Sequence, residues 1–243
     1  MVYWSLLMEG SLGEDAADAM LDVATFAGYQ RYVRIGMFRT QVDVVRNAIV
    51  QMFLEAADER LKTKNPSDYL VMLDADHAHP HDILYKLTRH DEPIVGALSF
   101  RRAKPFDPLI FRKNGEGKLK RVDVWTGDLM EVDAVGSGAI AIQRGVFEML
   151  AEKGHEPPYF RFDYRLGDPV WRLGEELYFC ELCRQCGIPV HCDSSVITPH
   201  LTVCPVQGRE WKAYLASRGG SIEELTEAGV RFTPPAIKTQ VRI

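Results

Sequence analysis

Five apolar residues, Tyr69, Leu70, Val71, Met72 and Leu73, run directly into Asp74, Ala75, Asp76 and His77. Turn formers bound the stretch, with Asn65, Pro66 and Ser67 before it and His79 and Pro80 after it. A continuous apolar run of this length, bounded in this way, predicts a strand covered on both faces, as in a parallel sheet. Its last residues then emerge at a sheet edge. Two carboxylates one residue apart at that edge repel each other and are costly to desolvate unless a cation or a ligand's donors lie between them. A hard divalent cation with a phosphate-bearing ligand meets that need. Two acids in a solvated loop after a strand is the other reading, and both stay open on these nine residues.

The chain of 243 residues, 46% of them hydrophobic, is long enough for one large α/β domain or two small ones, and one is expected. A net charge of -5, with 29 basic residues mostly scattered, provides no large positive field for duplex nucleic acid. The first nine residues lack a basic flank and a small-residue cleavage site, so no secretory signal is expected there. No apolar run approaches the roughly 20 residues that span a bilayer, and a soluble, cytoplasmic protein is expected. The five cysteines form no secreted disulfide framework. Cys180, Cys183 and Cys186 have the spacing of an iron–sulfur ligand set, but they share a helical face with Phe179 and Leu182, and a core role is favoured.

In chain order, strands are expected over residues 2–8, 32–38, 69–73 and 93–98, alternating with helices over 14–26, 42–60 and 82–88. This alternation predicts a mostly parallel sheet with right-handed crossovers. Ligands of such sheets bind beyond the carboxyl ends of the strands. Glu9, Arg39 with Thr40, Asp74 with Asp76, and Arg101 with Arg102 fall there. A hairpin is expected over 109–112 and 118–125, then a strand over 131–142 interrupted by Gly136 and Gly138, which mark a bulge or the close approach of a backbone or ligand. A short helix is expected over 145–152, and residues 155–173 make either a lid or acceptor-facing loop or an ordinary surface loop.

A helix follows Gly174. Glu175 falls inside its apolar arc and Glu176 at the edge, so at least one of these carboxylates is expected to face inward, where burial raises its pKa towards that of a general base. Further strands are expected over 189–192 and 195–200. Ser221 and Glu224 form a capping box that predicts a last helix before Pro234 and Pro235 open a loose tail.

Three pieces in this order resemble a nucleotide-sugar-dependent glycosyltransferase of the GT-A fold, family-2-like and of phage or bacterial type. They are Arg46-Asn47 with Leu73-Asp74-Ala75-Asp76; residues 132–142 with Val146 and Phe147; and Gly174-Glu175-Glu176 with the Gly187-Ile188-Pro189 segment and Pro199-His200 behind. The likeness covers about residues 2–205. It implies an α/β fold, a single Rossmann-like domain with a mostly parallel central sheet, helices on both faces and a smaller antiparallel part. That domain is placed at residues 1–220, with a nucleotide-binding half over about 1–104 and an acceptor half over about 105–220; residues 221–243 form a terminal helix and tail.

The likeness also implies roles. Asp76 and His200 hold Mn2+ or Mg2+ on the donor phosphates, and Asp74 contacts the ribose or shares the metal. Arg46 and Asn47 border the nucleotide, Arg101 reaches the diphosphate and Gly138 lines the donor site. Glu176 stands where the family has an aspartate base; because this chain has glutamate there and the helical phase favours Glu175, the base is left between the two. His77, His79 and His81 alternate around Pro80 and are expected to be exposed, with Asp76 alone ligating. The implied partners are a UDP- or GDP-sugar donor and a glycan or other hydroxyl acceptor, with no nucleic acid. The alternatives are a GT-A-like domain that binds nucleotide sugar or glycan without turnover, and a haloacid-dehalogenase-like phosphatase with Asp74 as nucleophile.

Overall fold

The computed structural model describes residues 2–7, 21–25, 33–38, 41–61, 65–103, 105–164, 172–202, 222–226 and 229–232. Glu9, Arg39, Thr40, Cys204, Pro234 and Pro235, and most of the helix expected over 14–26, lie outside these residues; 21–25 are helical. The chain divides into two units, Met1–Leu201 and Thr202–Ile243.

The larger unit is a mixed α/β fold. Its main sheet contains β1 (Val2–Leu7), β2 (Val33–Phe38), β3 (Tyr69–Asp74), β4 (Ile94–Ser99), β7 (Leu129–Val132), β9 (Ala139–Gln143) and β12 (Val190–Thr198). They lie in the order β2-β1-β3-β9-β4-β12-β7. β1 pairs in parallel with β2 and β3, and β4 with β12, whereas β9 and β7 run antiparallel to their neighbours. The helices are α1 (Val42–Leu61), α2 (Ile83–Thr88), α3 (Arg144–Glu152) and α4 (Glu175–Gln185). A smaller antiparallel sheet has β5 (Ile110–Lys113) between β6 (Leu119–Arg121) and β8 (Ala134–Val135), and β10 (Asp163–Tyr164) pairs antiparallel with β11 (Arg172–Leu173). The expected hairpin is thus present, its first arm moved on by one residue and its second arm shorter.

The apolar run of β3 is continuous because each side of the sheet has a core. Leu70 and Met72 join Ile49, Phe53, Phe147 and Phe179 on the face covered by α1, α3 and α4. Tyr69, Val71 and Leu73 join Ile83, Leu84 and Leu87 of α2 on the other. Leu70, Val71, Met72 and Leu73 are completely buried, and burial of such side chains contributes about 1.5–3 kcal/mol each. That anchors the strand and fixes where Asp74 and Asp76 emerge. The cysteines Cys180, Cys183, Cys186 and Cys192 are free thiols in the same core, and burial pushes Cys180 and Cys192 up to about 12.

Three expectations need correction. The strand expected over 131–142 is three strands, and its last part, β9, inserts antiparallel between β3 and β4. Gly136 lets the chain leave β8, since a Cβ there would stand 2.7 Å from the Leu109 side chain. The strands expected over 189–192 and 195–200 are one strand, β12, with an irregular register between Asp193 and Ile197. In the smaller unit the capping box opens no helix: Ile222–Thr226 and Gly229–Phe232 pair antiparallel. A helix stopped by Gly229 would be too short to recover its nucleation cost, and the β-favouring Val230 and Phe232 provide a partner strand instead.

Candidate functional site

The carboxyl end of β3 is held in place by its backbone. Ala75 N–H donates to Leu7 O at 2.8 Å and Asp74 N–H to Gly138 O at 2.9 Å. The next residues pair with the end of β12: Leu201 N–H reaches Asp76 O at 2.7 Å, Ala78 N–H reaches Pro199 O at 2.9 Å, and His77 bridges His200. Two segments 124 residues apart therefore meet, with His200 Nε2 3.1 Å from Asp76 Oδ2.

The same pairing covers the histidines expected to be exposed. Only His81 is exposed; His77 and His79 are 3% and 4% accessible. The turn around Pro80 packs against residues 199–201 instead of projecting, and the three rings of His79, His77 and His200 stack in succession, at 5.9 and 4.2 Å between centroids. His77 Nδ1 bonds Asp76 Oδ1 at 2.9 Å, and His79 Nε2 bonds Asp74 O at 2.8 Å. Burial pulls His77 and His79 down to about 4 and lowers His200, so all three rings are neutral at pH 7. His77 Nε2 is buried without a hydrogen-bond partner and faces Gly138, where a Cβ would lie 2.6 Å away. Gly138 is therefore required by the His77 ring, and the antiparallel insertion of β9 is what brings it there.

Behind Asp74 lies a buried cation. Arg46, from α1 and 1% accessible, donates from Nη2 to Asp74 Oδ1 and Oδ2 at 2.9 and 3.2 Å and from Nε to Glu175 Oε1 at 3.3 Å. Burial acts to lower its pKa, but Asp74, Glu175 and Glu176 raise it further, and it stays charged. Its Nη2 and Nε are thus committed to carboxylates, while its Nη1 is buried without a hydrogen-bond partner. Asn47 is occupied as well: its amide donates to Phe160 O at 2.6 Å and its oxygen accepts from Tyr159 and Phe160 N–H, fixing the backbone of residues 159–160.

At the start of α4 the two glutamates differ. Glu175 is buried on Arg46, in agreement with the helical phase. Glu176 folds back over Gly174, where a Cβ would stand 2.7 Å from its Oε2. Burial first, then the charge and hydrogen bond of Glu175, push the Glu176 carboxyl up to about 8. The arginine near Asp76 is Arg102, not Arg101. Arg102 Nη2 donates to Asp76 Oδ2 and its Nε to His200 Nε2 at 3.0 Å, while Arg101 pairs with Asp107 at 3.7 Å.

Asp76, His77 and His200 each offer a ligand atom, and these atoms lie within 4.8 Å of one another. One carboxylate and two neutral imidazoles, one with an orphaned buried nitrogen, suit a divalent cation that accepts both oxygen and nitrogen. Asp74, its oxygens taken by Arg46, is not in this group. Of the sequence-derived residues, Asp76 and His200 come together, as do Asp74, Arg46 and Glu175; Asn47 and Arg101 are turned to other partners. Sequence reasoning took His77 as exposed and, of the two arginines it placed at this edge, gave the diphosphate to Arg101 and no role to Arg102. His77 adjoins Asp76 and Arg102 adjoins Arg101, but neighbours in sequence can point apart: the 199–201 pairing covers His77, and Asp107 draws Arg101 away while Asp76 holds Arg102.

No protein-family model matches this chain, and no curated protein does. Among solved structures, a GalNAc-T7 crystal structure with UDP, GalNAc and Mn2+ superposes with a TM-score of 0.43 at 14% identity, over 83% of this chain and 44% of that one. The present chain thus spans under half the length of that protein. A glycosyltransferase involved in glycosylation of the major capsid of PBCV-1 superposes with a TM-score of 0.30 at 10% identity, over 64% of this chain and 68% of that one. Superpositions this partial transfer no residue role to the present chain.

Proposed function

We propose that this chain is a metal-dependent glycosyltransferase that moves a sugar from a nucleotide-sugar donor, a UDP- or GDP-sugar, to an acceptor hydroxyl. One observation carries the reading: Asp76 and His200, far apart in sequence, converge 3.1 Å apart at the carboxyl edge of the parallel strands, where α/β sheets bind ligands. Asp76, His200 and His77 hold Mn2+ in preference to Mg2+, because two of the three donors are imidazoles. Such an ion supplies the positive charge that stabilises a departing nucleoside diphosphate.

The chain's own residues do the rest. Asp74, one-quarter exposed and aligned by Arg46, presents a fixed carboxylate for ribose hydroxyls. Glu176 takes the acceptor proton: a carboxyl with a pKa near 8 is a better base at neutral pH than an ordinary glutamate. Glu175, locked on Arg46, sets that basicity and is a positioning residue. The phosphatase alternative fits less well, since both oxygens of its nucleophile would already be accepting bonds from Arg46. Among the described residues no helix is long and apolar enough to cross a membrane.

The test is a thermal-shift panel of UDP-, GDP-, dTDP- and CMP-sugars with and without Mn2+, since a ligand that binds only the folded state raises its Tm. A shift that needs both a nucleotide sugar and Mn2+, and that Asp76→Ala removes, supports the reading. Identical shifts with and without metal would contradict it. Release of free nucleoside diphosphate, or transfer to an acceptor, separates an enzyme from a domain that binds without turnover.

A further inference from the structure

His200 and Asp76 present a problem that the chain solves with its own cation. Phe100 O, which can only accept, bonds His200 Nδ1 at 3.0 Å and so places the ring proton there. Nε2 is then left with a lone pair, 3.1 Å from the lone pairs of Asp76 Oδ2. Two acceptors at that separation repel unless one electrophile serves both. The Arg102 guanidinium does so, with Nη2 donating to Asp76 Oδ2 and Nε to His200 Nε2.

We propose that Arg102 is a built-in stand-in for the divalent cation, which must displace it to bind, and that the freed guanidinium then becomes a ligand for the donor's diphosphate. The first part stands on the local geometry, since a lone pair given to an arginine N–H cannot also coordinate a metal. The second part rests on the glycosyltransferase reading above. Arg102 is suited to such an exchange. It lies just past the end of β4 with its side chain 53% exposed, and it has a long stem and a planar fork that matches phosphate as well as carboxylate. Arg101 and Arg121, by contrast, are paired with Asp107. Displaced into water, the guanidinium gains little; displaced onto a diphosphate, it regains charged hydrogen bonds. Metal and nucleotide therefore bind with positive coupling, each strengthening the other by the same factor. A metal ion alone is held poorly, which keeps the site from filling before the donor arrives.

The experiment is a Mn2+ titration, followed by electron paramagnetic resonance of the free ion, of the wild type, Arg102→Ala, Arg102→Lys and Asp76→Ala, without and with UDP. Without UDP, Arg102→Ala binds Mn2+ about five- to tenfold more tightly than the wild type, the worth of one partly exposed charged contact plus relief of its repulsion. With UDP the wild type gains affinity and Arg102→Ala gains much less, while Arg102→Lys, which keeps the charge but not the fork, falls between. Arg102→Ala binding Mn2+ no more tightly than the wild type, with Asp76→Ala abolishing binding, overturns the stand-in role and leaves the metal site intact. No Mn2+ binding by any variant, with or without UDP, overturns both. Because Arg102 lies on the surface, unchanged Tm values exclude misfolding as the cause of either result.

Discussion

Replacing Arg46 with methionine tests the buried charge network that links the two halves of the site. Arg46 is 1% accessible, and its three hydrogen bonds reach Asp74, whose side chain is 24% accessible, and Glu175, at 7%. Surface ion pairs are worth at most about 1 kcal/mol, but removing one member of a buried pair costs about 3–5 kcal/mol because the other charge is left unpaired. Methionine fills much of the volume, so the cost is electrostatic. Arg46→Met is therefore expected to lose about 3–5 kcal/mol in urea unfolding, a large share of the roughly 5–15 kcal/mol that holds a typical domain together. Adding Glu175→Gln removes one stranded carboxylate, so the double variant should recover more than about 1 kcal/mol, a coupling that additive effects cannot give. Glu176 should change too: Arg46 lowers its pKa, and without that charge it should titrate above about 8. A loss under about 1 kcal/mol for Arg46→Met, or simple additivity with Glu175→Gln, would refute the view that these charges depend on one another.

Three further outcomes are expected. With a folded carboxyl at about 8 against an ordinary value of 4.5, Glu176 is protonated below about 8, so the rate in the wild type should rise with pH through that value, and the rise should vanish in Glu176→Gln but persist, moved to lower pH, in Glu175→Gln. The same shift has a stability sign: the folded state holds this proton more tightly, so the contribution is fully present below 4.5 and is lost as pH rises through about 8, a slope that urea titrations at several pH values should find missing in Glu176→Gln. Gly138→Ala puts a Cβ 2.6 Å from His77 Nε2; it should cost about 1–3 kcal/mol by overpacking and, by tilting the ring off Asp76, weaken Mn2+ binding as His77→Ala does.

Much of this arrangement is legible in the sequence where short-range chemistry determines it. The run from Tyr69 to Leu73, bounded by turn formers, reads as a strand covered on both faces, and its end puts Asp74 and Asp76 at an edge. The helix phase likewise placed Glu175 inward, and the core under α1 and α4 received Phe53, Phe179, Cys180, Cys183 and Cys186, as periodicity assigned them. What escaped depends on partners distant in the chain. Nothing local in Ala139–Gln143 says that it will run antiparallel between two parallel strands, yet that insertion delivers Gly138 to His77. His77 and His79 appear as turn residues beside a proline until Pro199–Leu201 closes over them. Arg101 and Arg102 are equivalent on paper; Asp107 captures the first and Asp76 the second. At Ser221 a sound local helix signal yields because Gly229–Phe232 provides a strand partner.

Asp76 and His200 are proposed to hold a divalent cation jointly on a donor's diphosphate. Anomalous diffraction at the manganese edge, from crystals grown with Mn2+ and UDP, tests it most directly. One strong peak is expected within bonding distance of Asp76 and His200 Nε2, next to the UDP phosphates, with Arg102 moved off Asp76. UDP bound at the sheet edge with no manganese peak between those two side chains would contradict it.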